Sequence, residues 1–420
     1  ELYLDSTYSR AYIKYGILYF IWLIYIFANL NNKNKNSIFI ILFAVVGITE
    51  RYIMYPVIGF PLLFFGDYLW NKKKKEKNKK IILSQYIKNN FNAGPKAKTD
   101  IEEIVKSKFN FEVMTIPLTQ EICQNKIKRI IQFIKKFKLI SNISKETEIA
   151  IVQAPFSSKK IMMDKFKNKI VIIHDIEGLR NQNKKELEEE VRFYKSCDFV
   201  IAHNKYMKEF LINKGIDSKK IYELQLFDYL CKGKSKKRKL DYNLPKITYS
   251  GNLDKASFIY QLNSSKMNFE LYVYGQKSKE FKNNKIIYKG KYSPDEMPNN
   301  MDGDIGLVWD GNLDESDENK SYKNYTRYNN PHKLSCYIAS GMPVIVWRKS
   351  AVADFVKEND IGYEISNLYD INKLDFSNYD EKKKNIEKLE QKVRDGYFTQ
   401  SVISKILDKY DIIEGNRIEK

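Results

Sequence analysis

The chain has 420 residues, enough for two or three domains, and its 72 Lys and Arg against 52 Asp and Glu leave a formal net charge of +20. Four scattered cysteines (Cys123, Cys197, Cys231, Cys336) show no paired spacing, which argues against a disulfide framework or a cysteine-based zinc site and suits a reducing cytosol. The basic excess fits nucleic acid, an anionic membrane face or acidic ligands, but no basic-aromatic reader motif accompanies it, so nucleic acid is not an expected partner.

Three apolar runs come first. "AYIKYGILYFIWLIYIFANL" (11–30) is long enough to span a bilayer. "SIFIILFAVVGIT" (37–49) and "YPVIGFPLLFFGDYLW" (55–70) give one or two further spans, and aromatics flank the runs as interface anchors do. Residues 1–70 are therefore expected to form two or three transmembrane helices, with no cleavable signal. The basic linker "NKKKKEKNKK" (71–80) places this end in the cytoplasm by the positive-inside rule. The expectation is a multi-pass protein of the cell membrane whose remainder is cytoplasmic. Because the chain opens on Glu1 instead of Met, it is read as starting inside a longer protein or after trimming.

Residues 81–230 alternate strands with helices. Strands are predicted at "KIILSQY", "FEVMTIP", "EIAIVQAP", "KIVIIHD", "CDFVIAHN" and "KIYELQL". "NAGPKAKTDIEEI" (92–104) reads as a Gly-Pro loop, either an acceptor site or a plain turn, ahead of a helix opened by a capping box at Thr99 and Glu102. A basic linker (231–243, "CKGKSKKRKL" at its start) leads to residues 244–412, where "KITYSG", "FELYVYG", "KIIYKG", "DIGLVWDG" and "MPVIVW" are strands. The class is α/β, with two mostly parallel sheets covered on both faces. Ligands in such folds bind beyond the carboxyl ends of the strands and between domains.

Two motifs sit at strand ends and a third opens a helix. "HDIEGLR" sets His174, Asp175, Glu177 and Arg180 within seven positions, and His174 is one of only three histidines. The alternative for a strand-end Asp is a helix cap. In "SGNL", Gly251 lets the backbone approach a ligand, and a following helix would offer free N–H groups to an anion. In "NNPHKLSCYIASGMPVIVW", Asn330 and Pro331 read as N-cap and first helical residue, and Gly341 as the stop. His332 and Lys333 then stand in the first turn, where a cation opposes the helix dipole. A bound diphosphate would make Lys333 favourable there; the competing reading is a lysine snorkelling from a frayed turn.

In the order "NAGPKAKTDIEEIVKSKF", "HDIEGLR", "VIAHNKYM", "SGNL", "GLVWDG" and "YNNPHKLSCYIASGMPVIVW", the chain resembles bacterial β-1,6-galactofuranosyltransferase-like sugar transferases over roughly residues 81–412. That family includes the glucosyltransferases that extend glycans on streptococcal serine-rich adhesins. All three histidines (His174, His203, His332) lie in these motifs. The resemblance implies a GT-B fold, two Rossmann-like domains facing a cleft. It also implies a UDP-sugar donor, a substrate held mainly by the C-terminal domain, with no cofactor and no metal. Carried over by motif, Gly251 and Asn252 lie by the donor diphosphate, with Tyr328, Asn330, His332 and Lys333 around the nucleotide. Asn330 and Lys333 would contact phosphates or ribose, and Arg180 would reach the same charge across the cleft. Asp175, beside His174, is the candidate general base, and Lys333 and Arg180 would stabilise the departing UDP. "EGLR" departs from the family, which commonly has Ser before Leu, and "GNLDESDENKSYKNYTRY" (311–328) lacks expected glycines and reads as a solvated loop.

"LYLDSTYSRAYIKYG" and "GITERYIMYPVIGFPLLFFG" look like the tail of a multi-spanning polysaccharide polymerase. Together the resemblances imply a membrane-tethered glycosyltransferase in polysaccharide biosynthesis. It would move galactofuranose, galactose or glucose from a UDP-sugar to a lipid-linked or protein-linked glycan. The alternative is a catalytically silent GT-B scaffold or chaperone for a partner transferase, and a homo-oligomer stays open.

Overall fold

The computed structural model describes residues 79–85, 94–116, 126–158, 161, 164–311, 313 and 324–418. The spans expected at 11–30, 37–49 and 55–70, nearly all of the basic run 71–80 and much of the acidic stretch 311–328 lie outside the described residues. Among the described residues no helix is long and apolar enough to cross a membrane. All of them belong to one compact unit, Lys79–Lys420.

Runs such as "KIVII" and "VIVW" are apolar at consecutive positions because both faces of their sheets are covered. Strands β1 (Lys79–Ser84), β2 (Glu112–Thr115), β3 (Thr147–Ala154), β4 (Asn168–Ile173), β5 (Phe199–Ala202) and β6 (Ile221–Glu223) form a six-stranded parallel sheet in the order β2-β1-β3-β4-β5-β6. A second six-stranded parallel sheet holds β7 (Lys246–Ser250), β8 (Glu270–Tyr274), β9 (Ile286–Tyr288), β10 (Ile305–Val308), β11 (Val344–Trp347) and β12 (Gly362–Ile365). Its order is β12-β11-β10-β7-β8-β9. The eleven strands expected from the sequence are all present. β12 was not expected: it is four residues long, and its alternating burial gives it only two apolar inward positions. The chain reverses direction across each sheet between β1 and β3 and between β7 and β10, and a ligand crevice opens at such points.

The first sheet carries α1 (Gly94–Phe109), α2 (Lys126–Glu146), the single turn α3 (Glu177–Arg180), α4 (Lys184–Lys195) and α5 (Lys205–Asn213). The second carries α6 (Ser257–Gln261), α7 (Met297–Asn300), α8 (His332–Ala339) and α9 (Ala353–Glu358), and α10 (Tyr379–Arg394) and α11 (Tyr397–Ile418) end the chain. Helix α11 returns to the first half: Val402, Ile403 and Ile406 share a core with Ile101 and Val105 of α1, and the Tyr410 hydroxyl accepts from Asn168 Nδ2 at 2.9 Å. The Asp228 carboxylate accepts the Phe398 and Thr399 N–H groups at 3.1 and 2.7 Å, capping the start of α11 from the segment that joins the two sheets.

Three local expectations change. α1 begins at Gly94, so Thr99 lies inside it, donating its hydroxyl to Lys96 O at 3.0 Å instead of capping; Pro95 fits a first turn because it has no N–H to lose. The N-cap expected at Asn330 falls on Pro331, because the Asn330 amide is committed elsewhere. "SGNL" is followed by a turn, not a helix: Asn252 Oδ1 accepts from Asp254 N and Lys255 N at 3.0 and 3.1 Å, and α6 starts only at Ser257. The basic linker is not wholly solvated either. The buried Arg238 guanidinium donates to the carbonyls of Ser340, Met301 and Gly303 at 3.0, 3.2 and 2.5 Å, tying the linker to the second sheet's helices.

Candidate functional site

Beyond the end of β4 the backbone is held to β3 by His174 N donating to Ala154 O at 2.8 Å. His174 Nε2 meets Gln153 Oε1 at 2.8 Å, and Gln153 Nε2 donates to Glu102 Oε1 at 3.1 Å. Because the Gln153 oxygen can only accept, Nε2 of His174 carries the proton. Asp175 lies half-exposed, 3.2 Å from Arg180 Nη1. It also takes a hydrogen bond from the Tyr325 hydroxyl, which in turn accepts Ile176 N–H at 2.8 Å. Burial raises the Asp175 carboxyl above its ordinary value, against the opposing pull of Arg180, Tyr325 and Lys98. Lys98, from α1, is lowered by burial, with Asp175, Glu102 and Glu177 opposing the shift. A carboxylate so placed is a stronger base than a solvated one.

The α3 turn that carries Arg180 is held by Glu190, whose buried carboxylate accepts Glu177 N–H and Gly178 N–H at 3.1 and 3.0 Å. A Cβ on Gly178 would stand 2.2 Å from Leu187 N, so this chain has no room for the side chain its relatives were expected to show there.

On the second sheet the crevice between β7 and β10 is floored by Gly251, whose N–H donates to Tyr274 O at 3.0 Å. Beneath it Gly275, at φ +135°, leaves the space: its Cβ would fall 1.8 Å from Gly251 O. Lys333 Nζ, from the first turn of α8, meets Asp310 Oδ1 at 2.7 Å and the Tyr249 hydroxyl at 3.1 Å, and sits 4.8 Å from the Tyr249 ring centre. Burial would lower the Lys333 ammonium, but Asp310 more than reverses this and raises it, so the lysine stays charged. The counter-charge that makes a lysine tolerable at this helix start is thus supplied within the protein. Its Cε lies 3.2 Å from where a Gly251 Cβ would be, so the ammonium and the glycine backbone border one crevice. Asn252 is exposed at the rim, its side-chain oxygen held by its own turn.

The two sides meet at an aromatic joint. Phe227 stacks on His174 with centroids 5.3 Å apart and lies edge-on to His203 and His332 at 4.8 and 6.1 Å. His203 Nε2 bonds Ile173 O at 2.8 Å while its Nδ1 accepts Asn330 N–H at 2.9 Å; His332 Nε2 bonds Asp228 O at 3.2 Å. Asn330, only 3% exposed, donates Nδ2 to His203 O and Gln225 O at 3.1 and 2.7 Å and accepts from Asn204 Nδ2 at 2.6 Å. The carbonyl of Tyr328 also takes Asn204 Nδ2 at 2.9 Å, and its ring packs 5.3 Å from Phe210. Asn330, His332 and Tyr328, expected around the nucleotide, are therefore engaged in joining the two halves. Asp175, Arg180 and His174 border one side of the joint, Gly251 and Lys333 the other.

Lys98, Asp310, Tyr325, Glu190 and Gly275 were not expected at the site. Asp310 lies one residue from the end of "DIGLVWDG", Gly275 ends "FELYVYG" and Lys98 lies in "NAGPKAKTDIEEIVKSKF", so their positions were a usable signal; Tyr325 carries none. Among the described residues no group of His, Cys, Asp and Glu could hold a metal ion.

Two expected outcomes test the joint. Asn330→Ala leaves buried partners unpaired and should lower unfolding stability by about 1–3 kcal/mol, read as a shift in urea midpoint; an unchanged midpoint would show the latch to be dispensable. Burial also holds His203 and His332 at about 4 and His174 well below its ordinary value. Their share of stability is complete above the unfolded value of about 6.5 and is lost as pH falls from there toward 4. Asp228 works in the opposite sense, because burial raises it to about 7 and the folded protein gains stability as it takes up that proton. The clean readout is therefore the rings themselves: proton NMR should show no histidine titrating between about pH 8 and 5. A midpoint near 6.5 would mean that the joint is open to water.

The sequence matches the profile "Glucosyltransferase 3-like, N-terminal domain" over residues 79–226 and "Glucosyltransferase 3-like, C-terminal domain" over residues 247–406. It is 29% identical over 332 residues to the beta-1,6-galactofuranosyltransferase WbbI of Escherichia coli (strain K12), covering 75% of this chain and 94% of that protein. In fold it is similar to a sucrose-phosphate synthase from Thermosynechococcus elongatus, with a TM-score of 0.58 at 10% identity over 80% of this chain and 100% of that one. It is also similar to the apo form of the lipopolysaccharide outer core galactosyltransferase WaaB, with a TM-score of 0.53 at 12% identity over 79% of this chain and 99% of that one.

Proposed function

The chain belongs to the Glucosyltransferase 3-like family and is a glycosyltransferase of the GT-B type, and from that premise we propose that it moves a hexose from a UDP-sugar to a glycan acceptor. The observation that carries this reading is the pairing of two different sites across one joint. A charged lysine beside a glycine backbone lies in the second sheet's crevice, and a carboxylate raised by burial lies at the first sheet's edge. The first suits a diphosphate and the second a hydroxyl. In the reaction proposed, the acceptor oxygen attacks the anomeric carbon and gives its proton to Asp175. The bond from that carbon to the β-phosphate oxygen breaks, and UDP leaves with the electron pair. Lys333 and the Gly251 backbone meet the growing phosphate charge, while Arg180 orients Asp175. His174 orients the loop through Gln153 and is not itself the base.

The finer assignments belong to the same proposal. The donor sugar is galactofuranose, galactose or glucose, and the acceptor is a lipid-linked or protein-linked glycan. Residues 1–70 tether the transferase to the membrane with Lys79–Lys420 in the cytoplasm, and no metal is used, so chelation leaves transfer unchanged. The primary experiment is a thermal-shift series with UDP and UDP-sugars. UDP and one UDP-sugar should stabilise the protein, by about 2.7 kcal/mol at a hundred times Kd. No response to any nucleotide from folded protein would remove the donor reading.

A further inference from the structure

Helix α2 turns an apolar stripe outward. Ile130, Phe133, Ile134 and Phe137, spaced i, i+3, i+4, i+7, are 59%, 54%, 47% and 39% exposed, whereas the face that packs on the sheet holds Lys136 and Ile140. A contiguous stripe of this kind marks an interaction surface. The helix is also strongly basic: Lys and Arg outnumber acids seven to one along Lys126–Glu146. Lys135, Lys138 and Lys145 are exposed on the flank of the stripe, and Lys165 lies 4.5 Å over the Phe137 ring. Aromatic and aliphatic side chains beside lysines are the composition of a helix that lies in a lipid interface.

We propose that α2 docks flat on an anionic lipid surface, with Ile130, Phe133, Ile134 and Phe137 among the acyl chains and the flanking lysines on headgroup phosphates. Charge decides against a second copy of the chain, which would set one basic helix against its twin. The position of the helix agrees. Lys79, where β1 begins, is 3.7 Å from both Glu112 and Glu146, so the basic start of β1 lies at the C-terminal end of α2. Because α2 feeds into β3, its other end, about 31 Å away, lies toward the strand ends that bear His174 and Asp175. Docking therefore brings the acceptor side of the site to the lipid. That the acceptor's own lipid lies in this surface rests on the transfer reading; the docking itself does not.

The test is co-sedimentation of residues 79–420, which contain both sheets and their cores, with phosphatidylcholine vesicles with and without about one-quarter phosphatidylglycerol. Binding should need the anionic lipid and weaken at high salt. Phe133→Ser with Phe137→Ser should weaken it about tenfold or more, and Lys135→Gln with Lys138→Gln should weaken it on anionic vesicles only. Because these side chains are exposed, folding is retained and is checked by an unchanged melting transition. No binding by the wild-type unit, or equal binding by the Phe variant, would overturn the proposal. So would a wild-type dimer that the Phe variant turns into monomer, since the face would then be an interface between copies. UDP-stimulated stability is read on the same samples, so loss of docking with donor binding intact counts against docking alone.

Discussion

Replacing Asp175 by Asn should lower the transfer rate by about 10²–10⁴-fold, the range of a lost general base, while UDP affinity stays within about threefold. Asn has the shape of Asp, so it can still accept from Arg180 and from Tyr325 and keep the loop in place. What it loses is the ability to take a proton. The wild-type pH profile carries a second check. Burial raises the Asp175 carboxyl, so the acid limb of kcat should have its midpoint above the usual aspartate range, and activity should fall as the pH drops through it. In Asp175→Asn that limb should vanish. Transfer within about threefold of wild type would put the base on another group, and Lys98, lowered by burial and beside Asp175, would be the next to test.

Lys333→Ala should weaken UDP binding by about 10- to 150-fold, equivalent to about 1.5–3 kcal/mol for a charged hydrogen bond. Part of that loss would come from Asp310, left 2.7 Å from an empty position with its charge uncompensated and close to the incoming phosphates. Asp310→Asn separates the two effects. If Lys333 acts directly on the diphosphate, the double variant should remain well weaker than Asp310→Asn alone. If Lys333 matters only by neutralising Asp310, the double variant should bind UDP nearly as well as wild type. Ordinary affinity in Lys333→Ala itself would remove the donor site from this crevice.

The parallel sheets were legible because they depend on short-range pattern: consecutive apolar residues between turn signals admit few other structures. The places where local reading failed share a cause. Thr99 and Asn330 both have sequence neighbours that make good caps, yet neither caps a helix. Pro95 and Pro331 move the helix starts, and tertiary contacts claim Asn330. The histidines were singled out because they are rare and sit in motifs, which pointed to the correct region. Their chemistry was not legible. Only when His174 and His203, from two strand ends, and His332, from the start of α8, converge on Phe227 does it follow that all three are held neutral.

Lys333 shows the division most sharply. From the sequence, a cation in the first turn of a helix asks for a negative partner, because the dipole there is positive. Which partner answers could not be read, since Asp310 lies 23 positions away, just beyond β10, and meets Lys333 only when α8 packs back against that strand. The sequence by itself determined the two α/β halves and the strand ends that carry the site, because each follows from period, composition or neighbouring residues. Only the tertiary structure decided which of those residues meet, which amides join the halves, and which face of α2 is left exposed. Those depend on which strand ends and faces the fold brings together across long stretches of chain, and local sequence does not encode that distance.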